Sequence, residues 1–284
     1  MIANPFAAAS SDNPLPRDIQ QAVRNCRAAT QAALGQRLSR MEIEFPPATP
    51  FGVEKTKKSS VVTPEEMDRS NRELARLFVD MFQPVGGSNI ACVFNDVRTA
   101  DLARKNWDAT AQCKILSVNN NPPKKSKKAK GFASKLATEL EDGGPLQLPS
   151  TTEVALFVAP TQAELPTIER ICNDVGMGTL VVLLNARLWS VGQYKTVAQQ
   201  QTFAEFESVF CLTTAPTPNC LLYRAYPQHW TLARKPPVGR PKPILSQATR
   251  PTGAECQAAY DALQLSDVEQ GVETVLGNVA NWLR

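Results

Sequence analysis

In an open α/β sheet, ligands are held outside the carboxyl ends of the strands, so polar residues that follow a short apolar run are the first candidates for chemistry. Two segments of this chain have that pattern. Asn95-Asp96 follows Ile90-Ala91-Cys92-Val93-Phe94, and Asn185-Ala186-Arg187 follows Leu180 to Leu184. Arg224, within Leu221-Leu222-Tyr223-Arg224-Ala225-Tyr226, lies at a third strand end. Together they predict a small polar crevice holding Asn95, Asp96, Asn185 and Arg187, with Arg224 and Asp96 as an ion pair. Each half of that pair also has a plainer reading. Asp96 is an ordinary cap for a helix opening at Val97-Arg98-Thr99, and Arg224 is a brace for a sheet edge.

Other chemistries lack their signatures. A dinucleotide site needs G-x-G-x-x-G between an early strand and its helix, and Gly176-Met177-Gly178 stands instead after a helix and before a strand, as a helix C-terminal turn does. Neither a Walker A sequence nor a G-x-S-x-G elbow occurs. The single histidine, His229, would have to supply the base for any nucleophile triad, and its place beside Trp230 reads as surface or structural. The seven cysteines are scattered singly with no C-x-x-C, which argues against a disulfide framework or a zinc site and fits a reducing compartment. No catalytic residue, metal or cofactor is predicted. An enzyme acting on a small anionic or phosphorylated ligand at the crevice stays open as an alternative.

The chain has 284 residues, 43% hydrophobic and 20% charged, enough apolar material for a folded core. Its formal charge is +4, yet residues 120–135 hold six lysines and no acid, so the remainder is net negative. Lys124, Lys125, Lys127, Lys128 and Lys130 could contact an anionic partner: phosphate, anionic lipid, an acidic protein or nucleic acid. No aromatic residue interrupts the run, so stacking of single-stranded bases is not supported and nucleic acid is the weaker choice. A solvated loop is the plain reading. No apolar run approaches the roughly 20 residues that span a bilayer, so a soluble or peripheral protein is expected. The first sixteen residues, MIANPFAAASSDNPLP, lack the features of a secretory signal or an evident transit peptide.

The elements that must position the crevice alternate along the chain. A helix after Pro16 ends at Gly35, and Arg40 to Phe45 alternates like a strand stopped by Pro46-Pro47. Thr63-Pro64-Glu65-Glu66 opens a helix to about Phe82. Strand-like runs at 89–94, 113–118, 153–158 and 179–184 interleave with helical periodicity at 99–107, 163–175 and 196–205. Ser208 to Thr213 and Cys220 to Tyr226 read as a closing hairpin. The predicted fold is α/β, a three-layer Rossmann-like sandwich whose mostly parallel sheet carries an antiparallel edge hairpin. The predicted organisation is a flexible segment 1–14, one domain over 15–235 with a Lys-rich insertion at about 119–150, and a Pro-rich connector with helical extension over 236–284.

Arg224-Ala225-Tyr226-Pro227-Gln228-His229-Trp230 resembles the R-A-Y-P-x-x-W signature of the chloroplast and cyanobacterial domain-of-unknown-function family numbered 1995, and of its low-photosystem-II-accumulation members in particular. Glu42 and Pro46 match its R-x-x-V-E-x-P segment, Val93-Phe94-Asn95-Asp96 its F-x-D, Val158-Ala159-Pro160 its V-A-P and Leu183-Leu184-Asn185 its L-L-N. The likeness runs over roughly residues 15–235. It implies a signature set of Glu42, Pro46, Arg224, Tyr226, Pro227 and Trp230 without known catalytic roles. It also implies a plastid stroma or thylakoid-surface protein, an auxiliary factor contacting photosystem subunits or assembly factors.

Overall fold

The computed structural model describes residues 15–53, 63–107, 111–119, 146–236 and 239–263. In chain order its elements are α1 (Ile19–Gly35), β1 (Arg40–Glu44), α2 (Pro64–Gly86), β2 (Ile90–Asp96), α3 (Val97–Asn106), β3 (Lys114–Asn119), β4 (Val154–Val158), α4 (Leu165–Val175), β5 (Leu180–Leu184), α5 (Val197–Ala204), β6 (Glu207–Thr214), β7 (Cys220–Ala225), β8 (Trp230–Arg234), β9 (Lys242–Gln247) and α6 (Gly253–Asp261). The lysines at 124–130 and, in the expected helical extension, residues 264–284 lie outside the described residues. The chain divides into two compact units, Arg37–Glu207 and the pair Met1–Gln36 with Ser208–Arg284.

In the unit Arg37–Glu207 five strands lie parallel in the order β3-β2-β4-β5-β1. The apolar runs of β2, β4 and β5 are buried along both faces, as strands covered on both sides must be. Val93, Ala155, Phe157, Val181 and Leu183 pack with Leu165, Ile168, Ile171 and Cys172 of α4 and Phe203 of α5. On the opposite face Gly86, in the last turn of α2, lies against Ile90 and Val154. There Phe94 meets Trp107 at the end of α3 with ring centroids 5.9 Å apart. The three-layer α/β arrangement is therefore present in this unit.

Local chemistry sets its helix ends. Thr63 and Glu66 form a reciprocal capping box at α2 with Pro64 in the first turn. α2 runs on through Pro84 to Gly86 rather than stopping near Phe82, because a proline in the last turn removes only one hydrogen bond. Asp96 caps α3, its Oδ1 accepting the Thr99 N–H at 2.8 Å. Arg40 closes α4, donating to the carbonyls of Cys172, Gly176 and Thr179 at 3.3, 2.5 and 2.9 Å.

The second unit holds the antiparallel strands β6, β7, β8 and β9 with α1 and α6. Its small core is Cys220, Leu222, Leu232, Cys256 and Ala259. Asn25 of α1 donates to the Tyr223 hydroxyl at 2.8 Å. Beyond the expected β6–β7 hairpin, β8 and β9 continue the meander. Where the sequence suggests a Pro-rich connector, Lys242–Gln247 is a strand, and Pro243 is tolerated because β9 is an edge strand and the register shifts opposite it at Leu232/Ala233. The span 15–235 thus divides between the two units, and 239–263 supplies β9 and α6 to the second.

Candidate functional site

The carboxyl ends of β1, β4 and β5 open on a cavity of about 340 Å³ within the unit Arg37–Glu207. Six non-glycine residues among those described have left-handed backbone, and four of them, Ala48, Ala159, Asn185 and Arg187, line this cavity. Asn adopts that conformation readily, whereas Ala and Arg hold it only where the surroundings impose it, a concentration typical of functional clefts.

Asn185 imposes much of that order. Its backbone N–H donates to the Ile43 carbonyl at 2.8 Å, its Oδ1 accepts the Phe45 N–H at 2.8 Å, and its Nδ2 donates to Asn71 Oδ1 at 2.8 Å. One amide therefore joins the ends of β5 and β1 to α2. Ala159 is held from both sides: its N–H donates to the Leu184 carbonyl at 2.7 Å and its carbonyl accepts Asn95 Nδ2 at 2.7 Å.

The turn after β5 is fixed by two buried carboxylates of β1. Glu42 Oε1 accepts the Leu188 N–H at 2.9 Å, and Glu44 Oε2 accepts the Trp189 indole N–H at 3.1 Å. Both glutamates are under 7% exposed, while Trp189 is 47% exposed. Nearby, burial and then the charge of Glu42 raise the pKa of Tyr194, which stacks on Phe203 at 5.7 Å and stays a neutral phenol.

Of the crevice residues expected from sequence, Asn185 and Arg187 line the cavity. Asn95 supports it through Ala159. Asp96 is exposed and serves as the α3 cap, with its second oxygen accepting the Thr99 hydroxyl at 3.0 Å. Arg224 belongs to the other unit, where its guanidinium stands 5.4 Å from the centroid of the Trp230 ring. Arg250 approaches that ring at 4.8 Å. Trp230 is buried, and Tyr226-Pro227, a cis peptide, forms with exposed His229 the turn between β7 and β8. Among the described residues no group of three His, Cys, Asp or Glu could hold a metal ion.

Asn71 and Trp189 escaped the sequence reading, and Ala159 entered it only through the V-A-P likeness. Asn71 sits inside a long helix with nothing local to mark it. Trp189 could have been suspected as a tryptophan outside every periodic segment.

A family model described as Domain of unknown function (DUF1995) matches residues 16–258. The chain belongs to this family. The DUF1995 match continues past residue 235 through β9 into α6 and ends at residue 258, so it reaches beyond the span 15–235 that the resemblance covers. No curated protein and no solved structure matches the chain.

Proposed function

We propose that this DUF1995 chain is a non-catalytic auxiliary protein of the plastid, acting in the assembly or stability of photosynthetic complexes of the photosystem II kind through protein contacts anchored on Trp189. The carrying observation is the Trp189 side chain. An indole left half in solvent is oriented by a buried carboxylate, so a large, rigid apolar anchor is presented at little further entropic cost on binding, which is the character of interface hot spots. Likeness to the low-photosystem-II-accumulation members supports the photosynthetic setting and a place in the stroma or at the thylakoid surface. Among the described residues no helix is long and apolar enough to cross a membrane.

The test is affinity purification of the tagged protein from its own cells at low and at about 0.5 M salt, with mass spectrometry of the eluate. Photosystem subunits or their assembly factors should co-elute with the wild type at both salts and be lost with Trp189→Gln, which keeps an N–H donor for Glu44 while removing the ring. Loss at high salt alone would move the contact to the lysines at 124–130. A wild-type chain that elutes alone, or an unaffected Trp189→Gln, would contradict the proposal.

A further inference from the structure

We infer that the strand-end cavity is a binding site for a monocarboxylate with a short apolar body. This goes beyond the Trp189 contact and does not depend on it, since Trp189 is not among the lining residues. Hydrogen-bonding capacity that the protein leaves unused decides the chemistry. Asn71 spends its carbonyl oxygen on Asn185, and among the described residues its Nδ2 has no hydrogen-bond partner and the exposed Arg187 guanidinium neither hydrogen bond nor ion pair. Both of these groups are donors, one neutral and one cationic, beside the unused acceptor Gln162 Oε1, and among the described residues no acidic side chain lines the cavity. An acceptor-only group with a single negative charge matches them.

Met67, Pro160 and Val191 give the wall apolar area that suits a hydrocarbon body, beside the polar side chains of Thr161, Gln162 and Ser190. A volume of about 340 Å³ is at the small end of ligand sites and has room for a short branched or cyclic acid. The backbone that carries Arg187 is fixed beforehand. Its carbonyl accepts the Ser190 N–H and hydroxyl at 2.9 and 2.8 Å, and the next N–H, of Leu188, is held by Glu42. The carboxylate belongs either to a free organic acid or to the C-terminus of a protein chain.

Isocaproate, its neutral amide and inorganic phosphate are the probes, titrated up to about 10 mM against the whole protein by chemical-shift mapping. A parallel arm uses peptides ending in leucine with a free or an amidated C-terminus. Isocaproate should bind with a Kd of about 1 mM, and the amide and phosphate at least about tenfold more weakly. Arg187→Gln should weaken isocaproate about tenfold. Asn71→Asp should abolish binding, because it keeps an acceptor for Asn185 while placing a like charge in the site. Tighter binding of the free-carboxyl peptide assigns the carboxylate to a protein terminus, and binding of isocaproate alone assigns it to a small acid. Equal binding of acid and amide, phosphate binding as tight as isocaproate, no binding by any carboxylate, or an Asn71→Asp variant that folds and binds as before would overturn the inference.

Discussion

Asn185 shows how one side chain can fix a site. It has left-handed backbone, donates to Ile43 and Asn71, and accepts from Phe45. Asn185→Leu should destabilise the protein by about 2–4 kcal/mol, since it strands the Phe45 N–H and puts a bulky residue in a backbone region that disfavours it. Asn185→Gly, which relieves the backbone but loses the side-chain bonds, should cost about 1–2 kcal/mol. Urea denaturation of the three proteins measures both, and equal stability of Leu and Gly variants would refute the backbone part of the argument. Asn185 was legible because it follows an apolar run in a parallel strand. Its partner Asn71 was not, because a helix surface position carries no local mark of what will pack against it. Arg224 was drawn to the crevice by extending the strand-end rule to β7, an antiparallel strand to which the rule does not apply.

At the scale of elements, α2 depends on a glycine and α6 on a carboxylate. A Cβ at Gly86 would lie 2.9 Å from Ile90 Cγ1 and 3.0 Å from Val154 Cγ2, so Gly86→Ala must push the helix end off β2 and β4. A loss of about 1–3 kcal/mol is expected by thermal or urea unfolding, the reverse of the gain that Gly→Ala gives in an open helix. Glu255 accepts the Thr252 N–H at 2.8 Å and its hydroxyl at 2.9 Å, and these bonds, the backbone one first, lower its pKa below the ordinary 4.5. A carboxyl depressed in the folded state contributes stability that is whole above about pH 4.5 and is lost as pH falls through the folded value. Glu255→Gln should therefore lower the melting temperature at pH 7, by a difference that shrinks as pH falls below about 4.5. A gap that persists undiminished in acid would show that the cap is not electrostatic. β1 was legible as an alternating strand, but alternation implies a wet face, and the structure buries Glu42 and Glu44 under the 188–190 turn, which donates one N–H to each of them. β9 was illegible because its prolines read as connector, and only its edge position makes them harmless.

At the scale of the whole molecule, all seven cysteines are free thiols, and six are buried. Cys113 is half-buried, and burial pushes its thiol up to about 11, as it does for Cys172. At pH 8 about one thiol in a thousand would be ionised there, so iodoacetamide should label the native protein slowly and at Cys113 alone, with the other six reacting once urea unfolds it. Fast labelling of two or more sites would mean that the units open more readily than their packing suggests. The parallel α/β unit was legible because doubly buried strands read as unbroken apolar runs and their helices announce themselves by caps. The division of the chain into two units was not, because α1 and the strands that follow Glu207 are far apart in sequence and only long-range packing joins them.

The proposal that Trp189 anchors a photosynthetic partner meets its most direct test in hydroxyl-radical footprinting of the purified complex against the free protein, with no residue changed. Oxidation of Trp189 should fall several-fold in the complex while Met177, 67% exposed, reacts as before. If Trp189 is oxidised as fast in the complex as in the free chain, the contact lies elsewhere and the account of its function is wrong.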